Sequence, residues 1–545
     1  MKKIIGTIII AVIAVQAIFA QSDKSFEMLK NLEIYSNTYK NLELFYVDEI
    51  QPGSLMKIGI DAMLKSLDPY TVFYPESDIE DVKMLTEGQY DGIGCTIFGR
   101  DGKVIISSLM ENKPAHKAGL LVGDVILEID GIKMQHKTSE EVSSLLKGQV
   151  NSTTVITLER IGEKNPLKIN VKREKIKIDN VASSKMFDNH IGYISLSGFM
   201  EKAYSEFKKS YDLLKQQGMN KLIIDLRSNG GGLMGEAINI ISMFVPQNTL
   251  AVSMRGKSSD RNQDFFTKQA PVDTAIPIIV LLDGMSASAS EILAGTLQDL
   301  DRAVVMGQTS FGKGLVQNVI PVAYNAQMKI TTAKYYIPSG RCVQAIDYEH
   351  RDANGKALRL PDSLRSLFYT KKGRPVYDGL GIEPDVKLDV PEIPDVLLML
   401  TGNYLVFDFA NEYFRNHKLI ASADKFELSQ SDYDNFIQFV KKSDNNSYQT
   451  NSELSIQILE ETAKEEGYYE VVKEQINALK EAVKNEKAND FEKHKKLISE
   501  YLSGEIVSRY YLQSGMAEYN FKTDGEIKSA CGLLLQPDKI REILK

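Results

Sequence analysis

The segment 278-IIVLLDGMSASASEILAGTLQDL-300 decides the fold of this chain. It begins as an apolar strand that ends at Asp283, and after a serine-rich turn it continues with a helical pattern. A serine at a strand-to-helix turn exposes its hydroxyl at the edge of a sheet, where the N–H groups of a helix N-terminus point at whatever it attacks. Helix capping is the simpler interpretation of the turn, and the residues alone do not choose among Ser286, Ser288 and Ser290.

A glycine-rich loop, 225-DLRSNGGG-232, follows another apolar strand, Leu222–Leu226. Successive glycines let a backbone turn its N–H groups inward as a nest that binds an anion, either a phosphate or an oxyanion. No Lys-Ser or Lys-Thr pair follows the loop, and no GxGxxG pattern is completed. The loop therefore argues against a nucleotide site.

A third chemical feature is 311-FGKG-314, which places Lys313 between two glycines just after a strand, with no acid close to it in sequence. A lysine acts as a general base only where burial lowers its pKa towards roughly 7 or 8. A surface turn is the simpler interpretation of this segment alone. Histidine is the usual partner of a nucleophilic serine, but no histidine of this chain lies in an α/β motif that resembles a triad.

The pattern around these segments predicts a multidomain α/β protein. Strands at Ile276–Leu282 and Ala303–Met306 alternate with helical stretches such as Tyr204–Gln217, which indicates a layered core. Short strands with glycine turns and one helix, Ser139–Leu146, precede this core. We expect five parts: a signal peptide (1–20), a helical N-terminal segment (21–86), a strand-rich domain (87–177), an α/β core (178–393) and a helical C-terminal region (394–545).

The strand-rich domain resembles a PDZ domain through 114-PAHKAGLLVGDVI-126 and the hairpin signal Asp130-Gly131 that follows. A PDZ domain binds a chain end as an added strand, with the terminal carboxylate on N–H groups of a glycine loop and the last side chain in a pocket beside the helix. Here Gly92, Ile93 and Gly94 would form the loop, together with Cys95. The pocket wall would include Val142, Leu145 and Leu146, although apolar residues at helical spacing equally describe plain core.

Residues 1–20 have the pattern of a signal peptide. Lys2 and Lys3 precede an apolar run from Ile4 to about Val15, and the stretch ends in a small residue. The run is shorter than the roughly 20 apolar residues of a spanning helix, although a retained membrane anchor is the alternative. We expect cleavage, export to the periplasm or cell envelope, and no stable membrane span afterwards.

The bulk composition excludes several classes of protein. The formal net charge of −8 argues against a nucleic-acid partner. The three cysteines, at wide spacings, predict neither a disulfide framework nor a zinc site, and at most one bridge. We expect no metal.

Together, the motifs resemble those of the C-terminal processing peptidases, also called tail-specific proteases. The motifs are 286-SASASEI-292, 311-FGKGLVQ-317 and 336-YIPSGR-341, with 225-DLR-227, 381-GIEPD-385 and the PDZ-like segment in the same order. The resemblance covers roughly residues 67–390 and the signal peptide. It implies a serine endopeptidase that cleaves proteins near or from their C-terminus and recognises the substrate's C-terminal tail with its PDZ domain.

The resemblance also implies roles for single residues. Ser288 is the nucleophile, Lys313 its general base and Gln317 the side chain that orients the lysine. Backbone N–H groups of Gly231 and Ala289 form the oxyanion hole, and no metal or organic cofactor is needed. The chain departs from the family at Gly230, where many relatives have proline, which leaves the exact oxyanion donor open.

Some parts of the chain and two other functions stay open at this point. An extra polar stretch (345–380) and the helical C-terminal region are interpreted as packing or homodimer contacts around the core. One alternative is a catalytically silent binding protein that uses the PDZ domain and keeps the α/β core as a scaffold. The other is an acyl-transfer enzyme or thioester hydrolase on a related core, because fold does not fix function.

Overall fold

The computed structural model describes residues 2–76, 84, 87–389, 392–443 and 447–545, with side chains from residue 24 onwards except at position 261. The chain divides into two compact units. One consists of the residues up to Glu76 together with Gln317–Thr331, and the other consists of Ser77–Val316 and Thr332–Lys545. Within the predicted N-terminal segment 21–86, residues 77–83, 85 and 86 lie outside the described residues.

The smaller unit begins with helices α1 (Lys2–Phe45) and α2 (Pro52–Lys65), followed by strand β1 (Val72–Tyr74). Proline opens α2 because its missing N–H would have no partner at a helix start. The backbone of residues 2–20 lies within α1, but their side chains are not described, so the signal peptide stays a prediction. Among the described residues, no helix is both long and apolar enough to cross a membrane.

The PDZ-like region has one sheet, in the strand order β3-β4-β5-β7-β8 with β6 paired to β5, and a separate β2–β9 pair. The predicted strands are confirmed, and the helix α4 has the predicted bounds because Thr138 and Glu141 form a capping box at its start. The elements are β2 (Gln89–Gly92), β3 (Cys95–Arg100), β4 (Lys103–Leu109), α3 (Pro114–Lys117), β5 (Val125–Ile129), β6 (Ile132–Lys133), α4 (Ser139–Leu146), β7 (Thr153–Glu159), β8 (Leu167–Lys172) and β9 (Glu174–Lys177).

The predicted α/β core contains a six-stranded sheet in the order β10-β11-β12-β15-β16-β23, parallel except for the edge strand β10. Its four central strands are mainly apolar because both of their faces are covered. The sheet strands are β10 (Val181–Phe187), β11 (Ile191–Leu196), β12 (Lys221–Asp225), β15 (Ile278–Leu282), β16 (Val304–Gly307) and β23 (Val386–Lys387). Helices α5 (Ala203–Gln216), α6 (Met234–Ser242) and α7 (Ala289–Asp299) contribute the core of one face.

Other strands of this region form hairpins beside the sheet. Strands β13 (Leu250–Gly256) and β14 (Gln263–Phe266) pair with each other, and residues 253–256 of β13 pair with residues 333–336. The hairpin of β17 (Leu315–Pro321) and β18 (Gln327–Tyr336) carries residues 317–331 of the smaller unit, where β1 pairs with residues 327–329. The extra polar stretch contains two short hairpins, β19 (Ile346–Arg351) with β20 (Ala357–Arg359) and β21 (Leu367–Tyr369) with β22 (Pro375–Tyr377).

The C-terminal region is helical, as predicted, and its last helices cover the second face of the core sheet. Leu533 and Leu534 pack on Ile223 and Ile279 of the strands, so the region completes the sandwich that buries the sheet. The helices are α8 (Asp395–Gly402), α9 (Leu405–Asn416), α10 (Gln430–Lys442), α11 (Asn451–Glu465), α12 (Tyr469–Lys487), α13 (Asp490–Lys493), α14 (Lys495–Thr523), α15 (Gly525–Leu534) and α16 (Pro537–Ile543).

Candidate active site

Two loops meet at the carboxyl ends of neighbouring strands. Strands β12 and β15 are parallel neighbours, so the glycine-rich loop after β12 lies against the serine turn after β15. The backbone N–H of Ala287 donates to the Asn229 carbonyl at 3.0 Å, and the N–H of Ser228 donates to the Asp283 carboxylate at 2.9 Å. The sheet therefore joins two of the three motifs that are distant in sequence.

The structure distinguishes the three serines that the sequence left equivalent. The Ser286 hydroxyl is fully buried and donates to the Leu226 carbonyl at 2.8 Å, and the buried Ser290 hydroxyl donates to the Asn229 carbonyl at 2.9 Å. Ser288 is only partly buried. Of the three, it alone is partly exposed.

Ser288 also has a strained backbone. It occupies the N-cap position of α7, but its φ of 58° and ψ of −114° are far from the extended conformation of an ordinary capping residue. A non-glycine residue with such angles stores strain that is typical of functional turns. The capping interpretation therefore accounts for the position of Ser288 but not for its conformation.

A buried carboxylate holds the segments of Ser288 and Lys313 together. Glu291 is fully buried in the first turn of α7, and its Oε2 accepts from the backbone N–H groups of Ser288 at 2.8 Å and Lys313 at 2.9 Å. Its Oε1 accepts from the Ser310 hydroxyl at 2.5 Å and the Gly312 N–H at 2.8 Å. Both oxygens are thus occupied in fixing the lysine loop to the serine turn.

A buried tyrosine also connects the segments of Ser288 and Lys313, through their backbone carbonyl groups. The Tyr335 hydroxyl lies 2.7 Å from the Lys313 carbonyl oxygen and 3.2 Å from the Ser288 carbonyl oxygen. Burial raises the pKa of Tyr335 and also that of Glu291, in the latter case against the four hydrogen bonds that favour the carboxylate. The two side chains fix both backbones without using the Ser288 hydroxyl or the Lys313 amine.

The sequence predicted no role for Glu291, although it lies in the serine motif, or for Tyr335. A signal for Glu291 was present, because an acid three residues after a serine at a helix start is typical of a capping box. Tyr335 carried no such signal, since its partners are backbone carbonyls that no motif specifies.

The predicted oxyanion residues lie on either side of the Ser288 turn. Gly231 has φ +98°, and a Cβ there would lie 2.6 Å from the Ala287 carbonyl oxygen and 2.8 Å from the Ser288 Cβ, so only glycine fits. Its N–H donates to Asn229 Oδ1 at 2.9 Å. Ala289 is the first residue of α7, where backbone N–H groups have no partner within the helix.

Gln317 belongs to the smaller unit, whereas Ser288 and Lys313 belong to the larger one. Within the smaller unit, its Nε2 donates to the Thr331 hydroxyl at 3.2 Å. The Thr331 hydroxyl also accepts from the Thr71 hydroxyl, and the Thr331 backbone N–H donates to it. The Asp68 carboxylate in turn accepts from the N–H and hydroxyl of Thr71. The role of Gln317 toward Lys313 therefore stays a prediction.

An ion-pair cluster holds the glycine-rich loop through Arg227. The Arg227 guanidinium contacts Asp225 at 2.5 Å and, across the core, Asp524 at 2.9 Å and Glu526 at 2.5 Å. These carboxylates raise the pKa of Arg227 against its burial, and the Tyr193 hydroxyl donates to Asp225 at 2.7 Å. The loop is thus tied to the start of α15 in the C-terminal region.

A second candidate site is a cavity of about 980 Å³, which we call the β3–α4 groove. Its lining includes the predicted loop residues Gly92, Ile93 and Gly94 and the pocket residue Leu146. Val142 instead lies in the core of the PDZ-like region, and Leu145 packs against that core. The residues of α4 that line the groove are Ser139, Glu140, Ser143, Ser144 and Leu146.

The described residues contain no group of three or more His, Cys, Asp or Glu side chains arranged to hold a metal ion. The three cysteines are free thiols, and burial raises the pKa of Cys95, beside the groove, to about 12. A thiol with so high a pKa is a poor nucleophile at neutral pH.

Three family models match the chain. Residues 190–351 match Peptidase family S41, residues 105–160 match a PDZ domain, and residues 396–534 match the family described as "Probable PDZ-protease, C-terminal helical domain". The carboxy-terminal-processing protease of Bartonella bacilliformis is 33% identical over 345 residues, which are 63% of this chain and 79% of the relative. Carboxy-terminal processing protease CtpB of Bacillus subtilis is 32% identical over 327 residues, which are 59% of this chain and 67% of the relative.

Proposed function

Because the chain belongs to the carboxy-terminal-processing serine proteases of peptidase family S41, we propose that it cleaves protein substrates with a dyad of Ser288 and Lys313. One observation carries this proposal. The backbones of the two residues share the Glu291 carboxylate and the Tyr335 hydroxyl, and Ser288 is partly exposed, whereas Ser286 and Ser290 are buried.

In the proposed reaction, the Lys313 amine takes the proton of the Ser288 hydroxyl as its oxygen attacks the substrate carbonyl carbon. The tetrahedral intermediate collapses when the lysine ammonium gives that proton to the leaving amine, which leaves an acyl-enzyme. Water then attacks the ester, with Lys313 again as base, and releases the new C-terminal carboxylate. Lys313 gives the proton that it takes from water to the departing Ser288 oxygen, which restores the hydroxyl, and the new carboxylic acid loses its own proton to solvent.

We assign the oxyanion hole to the backbone N–H groups of Gly231 and Ala289. The Gly231 N–H is paired with Asn229 Oδ1 in this structure, so binding the oxyanion requires Gly231 to exchange that acceptor for the substrate oxygen. Glycines at positions 230 and 232 flank this donor, which keeps such a local rotation sterically inexpensive. The Ala289 methyl group has no part in it.

We further propose that the β3–α4 groove binds the C-terminal tail of the substrate. Strand β3 is the terminal strand of its sheet among the described residues, so its outer edge is open to an added strand. Gly92, Ile93 and Gly94 line the groove at the start of that strand, where their N–H groups would receive the terminal carboxylate. Export to the periplasm or cell envelope remains a separate proposal that rests on residues 1–20.

Two readouts test the proposed function against its alternatives. An unfolded reporter protein with a free C-terminus is expected to be cut near that end, with the products identified by mass spectrometry. A biotinylated fluorophosphonate is expected to label the wild type and not Ser288→Ala. Labelling without cleavage, together with turnover of acyl-CoA substrates, would instead favour a thioester hydrolase, and no labelling of the folded wild type would favour a silent binding protein.

A further inference from the structure

Helix α14 of the C-terminal region also lines the β3–α4 groove. The residues that do so are Gln513, Met516, Ala517 and Asn520. Their spacing places them on one face of a helix, because residues three and four apart lie on the same side. The wall is therefore a continuous helical surface and not an accidental edge.

The groove-lining part of α14 is fixed at both ends. At its start, Leu512 interrupts the helix with φ 52° and ψ −145°, and its side chain packs on the core of the PDZ domain. The next turn is held by the Ser514 hydroxyl, which donates to Glu111 Oε2 at 2.9 Å. Farther along, Glu518 pairs with Lys185 on β10. These contacts orient the groove-lining face.

The PDZ domain is also docked to the preceding helices of this region. Phe98 of β3 stacks on Tyr404 with ring centroids 4.8 Å apart, and Arg100 pairs with Asp408 at 3.0 Å. The strand that would receive the tail is thus held by the same region that supplies the opposite wall.

An added strand presents its side chains alternately to two faces. If the last residue and the residue two before it face Ile93 and α4, the residues one and three before the end face away from them. In an open PDZ groove those side chains would face solvent. Here the same cavity continues to α14.

We propose that α14 forms a second specificity wall for the substrate tail and contacts the side chains one and three residues before its C-terminus. This inference rests on the proposed tail binding at the groove. Met516 is flexible and polarisable, and it suits varied apolar side chains. Gln513 and Asn520 are exposed amides that accept and donate hydrogen bonds, so the wall favours apolar or uncharged polar residues at these tail positions.

Charge changes at Gln513 test the wall. The full-length chain with Ser288→Ala is titrated with fluorescent ten-residue peptides that carry Lys or Glu at each of the last five positions in turn. Gln513→Arg is expected to favour Glu, and Gln513→Glu to favour Lys, by about threefold each, as for a partly exposed ion pair. The effect should be confined to the positions one and three residues before the end.

The matched control is Leu459→Lys, an exposed apolar position on α11, which is expected to leave every preference unchanged. Met516→Ala should lower the affinity for peptides that carry Leu at the same two positions. Thermal unfolding is measured in parallel to confirm that the variant is folded. Amidated versions of the same peptides show whether the groove recognises a free C-terminal carboxylate. If it does, but both Gln513 variants keep the wild-type preference between Lys and Glu at every position, the second wall is overturned. Equal binding of free and amidated peptides would overturn tail recognition itself.

Discussion

Ser288 and Lys313 are held by two fully buried side chains, whereas the β3–α4 groove is lined largely by half-buried and exposed side chains from three regions of the chain. The loops of Ser288 and Lys313 are held in fixed positions by buried hydrogen bonds. The groove instead offers shape and a free strand edge. We therefore expect changes at the first region to abolish chemistry, and changes at the second to alter which substrates are cut.

The largest effect is expected from the serine run. Ser288→Ala should reduce turnover of the reporter protein by at least about 10⁴-fold with little change in stability, as for other serine nucleophiles. Ser286→Ala and Ser290→Ala are the matched controls. Each leaves a buried carbonyl without its hydroxyl donor, so they should lower the unfolding free energy by about 1–3 kcal/mol and keep phosphonate labelling. Loss of labelling in a folded control variant would contradict the assignment of Ser288.

Glu291→Gln should have the next largest effect. The amide nitrogen cannot accept from the backbone N–H groups that the carboxylate binds, so at least one buried donor loses its partner at a cost of about 1–3 kcal/mol. If the lost hydrogen bond lets the Ser288 and Lys313 backbones shift relative to each other, turnover should drop by about 10- to 100-fold. The measurement compares kcat and thermal stability with those of Glu201→Gln, an exposed position. A loss of stability with normal kcat would show that Glu291 supports the fold alone.

Gly94→Ala is expected to affect the groove but not the chemistry. Gly94 has φ +76°, and a Cβ there would lie 2.6 Å from Lys113 Cβ, so the predicted carboxylate loop must shift. Peptide affinity should fall by about tenfold, whereas phosphonate labelling of Ser288 should be retained. Gly119→Ala is the control, because its φ of +81° imposes similar backbone strain but nothing lies within 4 Å. Equal loss of affinity in both variants would show that strain, and not the loop, is responsible.

The smallest effect is expected at the contact between the PDZ domain and the helical region. Phe98→Ala removes the stack on Tyr404, an interaction worth about 0.5–1.5 kcal/mol beyond its buried area. Looser docking of β3 against the helices should weaken peptide binding by about three- to fivefold. Isothermal titration in the Ser288→Ala background measures this change, and an unchanged affinity would mean that the groove does not depend on the docked arrangement.

Much of the fold followed from local patterns. The apolar strands that lead into the glycine-rich loop and the serine turn, and the helix at Ser139–Leu146, are specified by neighbouring residues and are confirmed in the structure. The family resemblance is confirmed by the comparisons. The choice of Ser288 rested on that resemblance, and the structure adds an independent reason through the buried partners of Ser286 and Ser290.

The rest could not be predicted because it depends on contacts between distant segments. Tyr335 acts through backbone carbonyls, and the α14 wall lies hundreds of residues from the strand that it faces. Apolar spacing likewise could not tell Val142 in the core from the serines of α4 that line the groove. The preferred interpretation of the C-terminal region as packing around the core holds for α15, which covers the sheet, but it did not anticipate the groove wall.

The pairing of Ser288 with Lys313 is tested most directly by the rate at which a fluorophosphonate labels Ser288. Lys313→Ala is compared with the wild type and with Lys268→Ala, which changes an exposed lysine. Thermal unfolding of all three proteins is measured to confirm that they are equally stable. Since a positioned general base contributes about 10²- to 10⁴-fold, the labelling rate should fall at least about 100-fold in Lys313→Ala and stay within about twofold in Lys268→Ala. Labelling of Lys313→Ala at the wild-type rate would contradict the dyad.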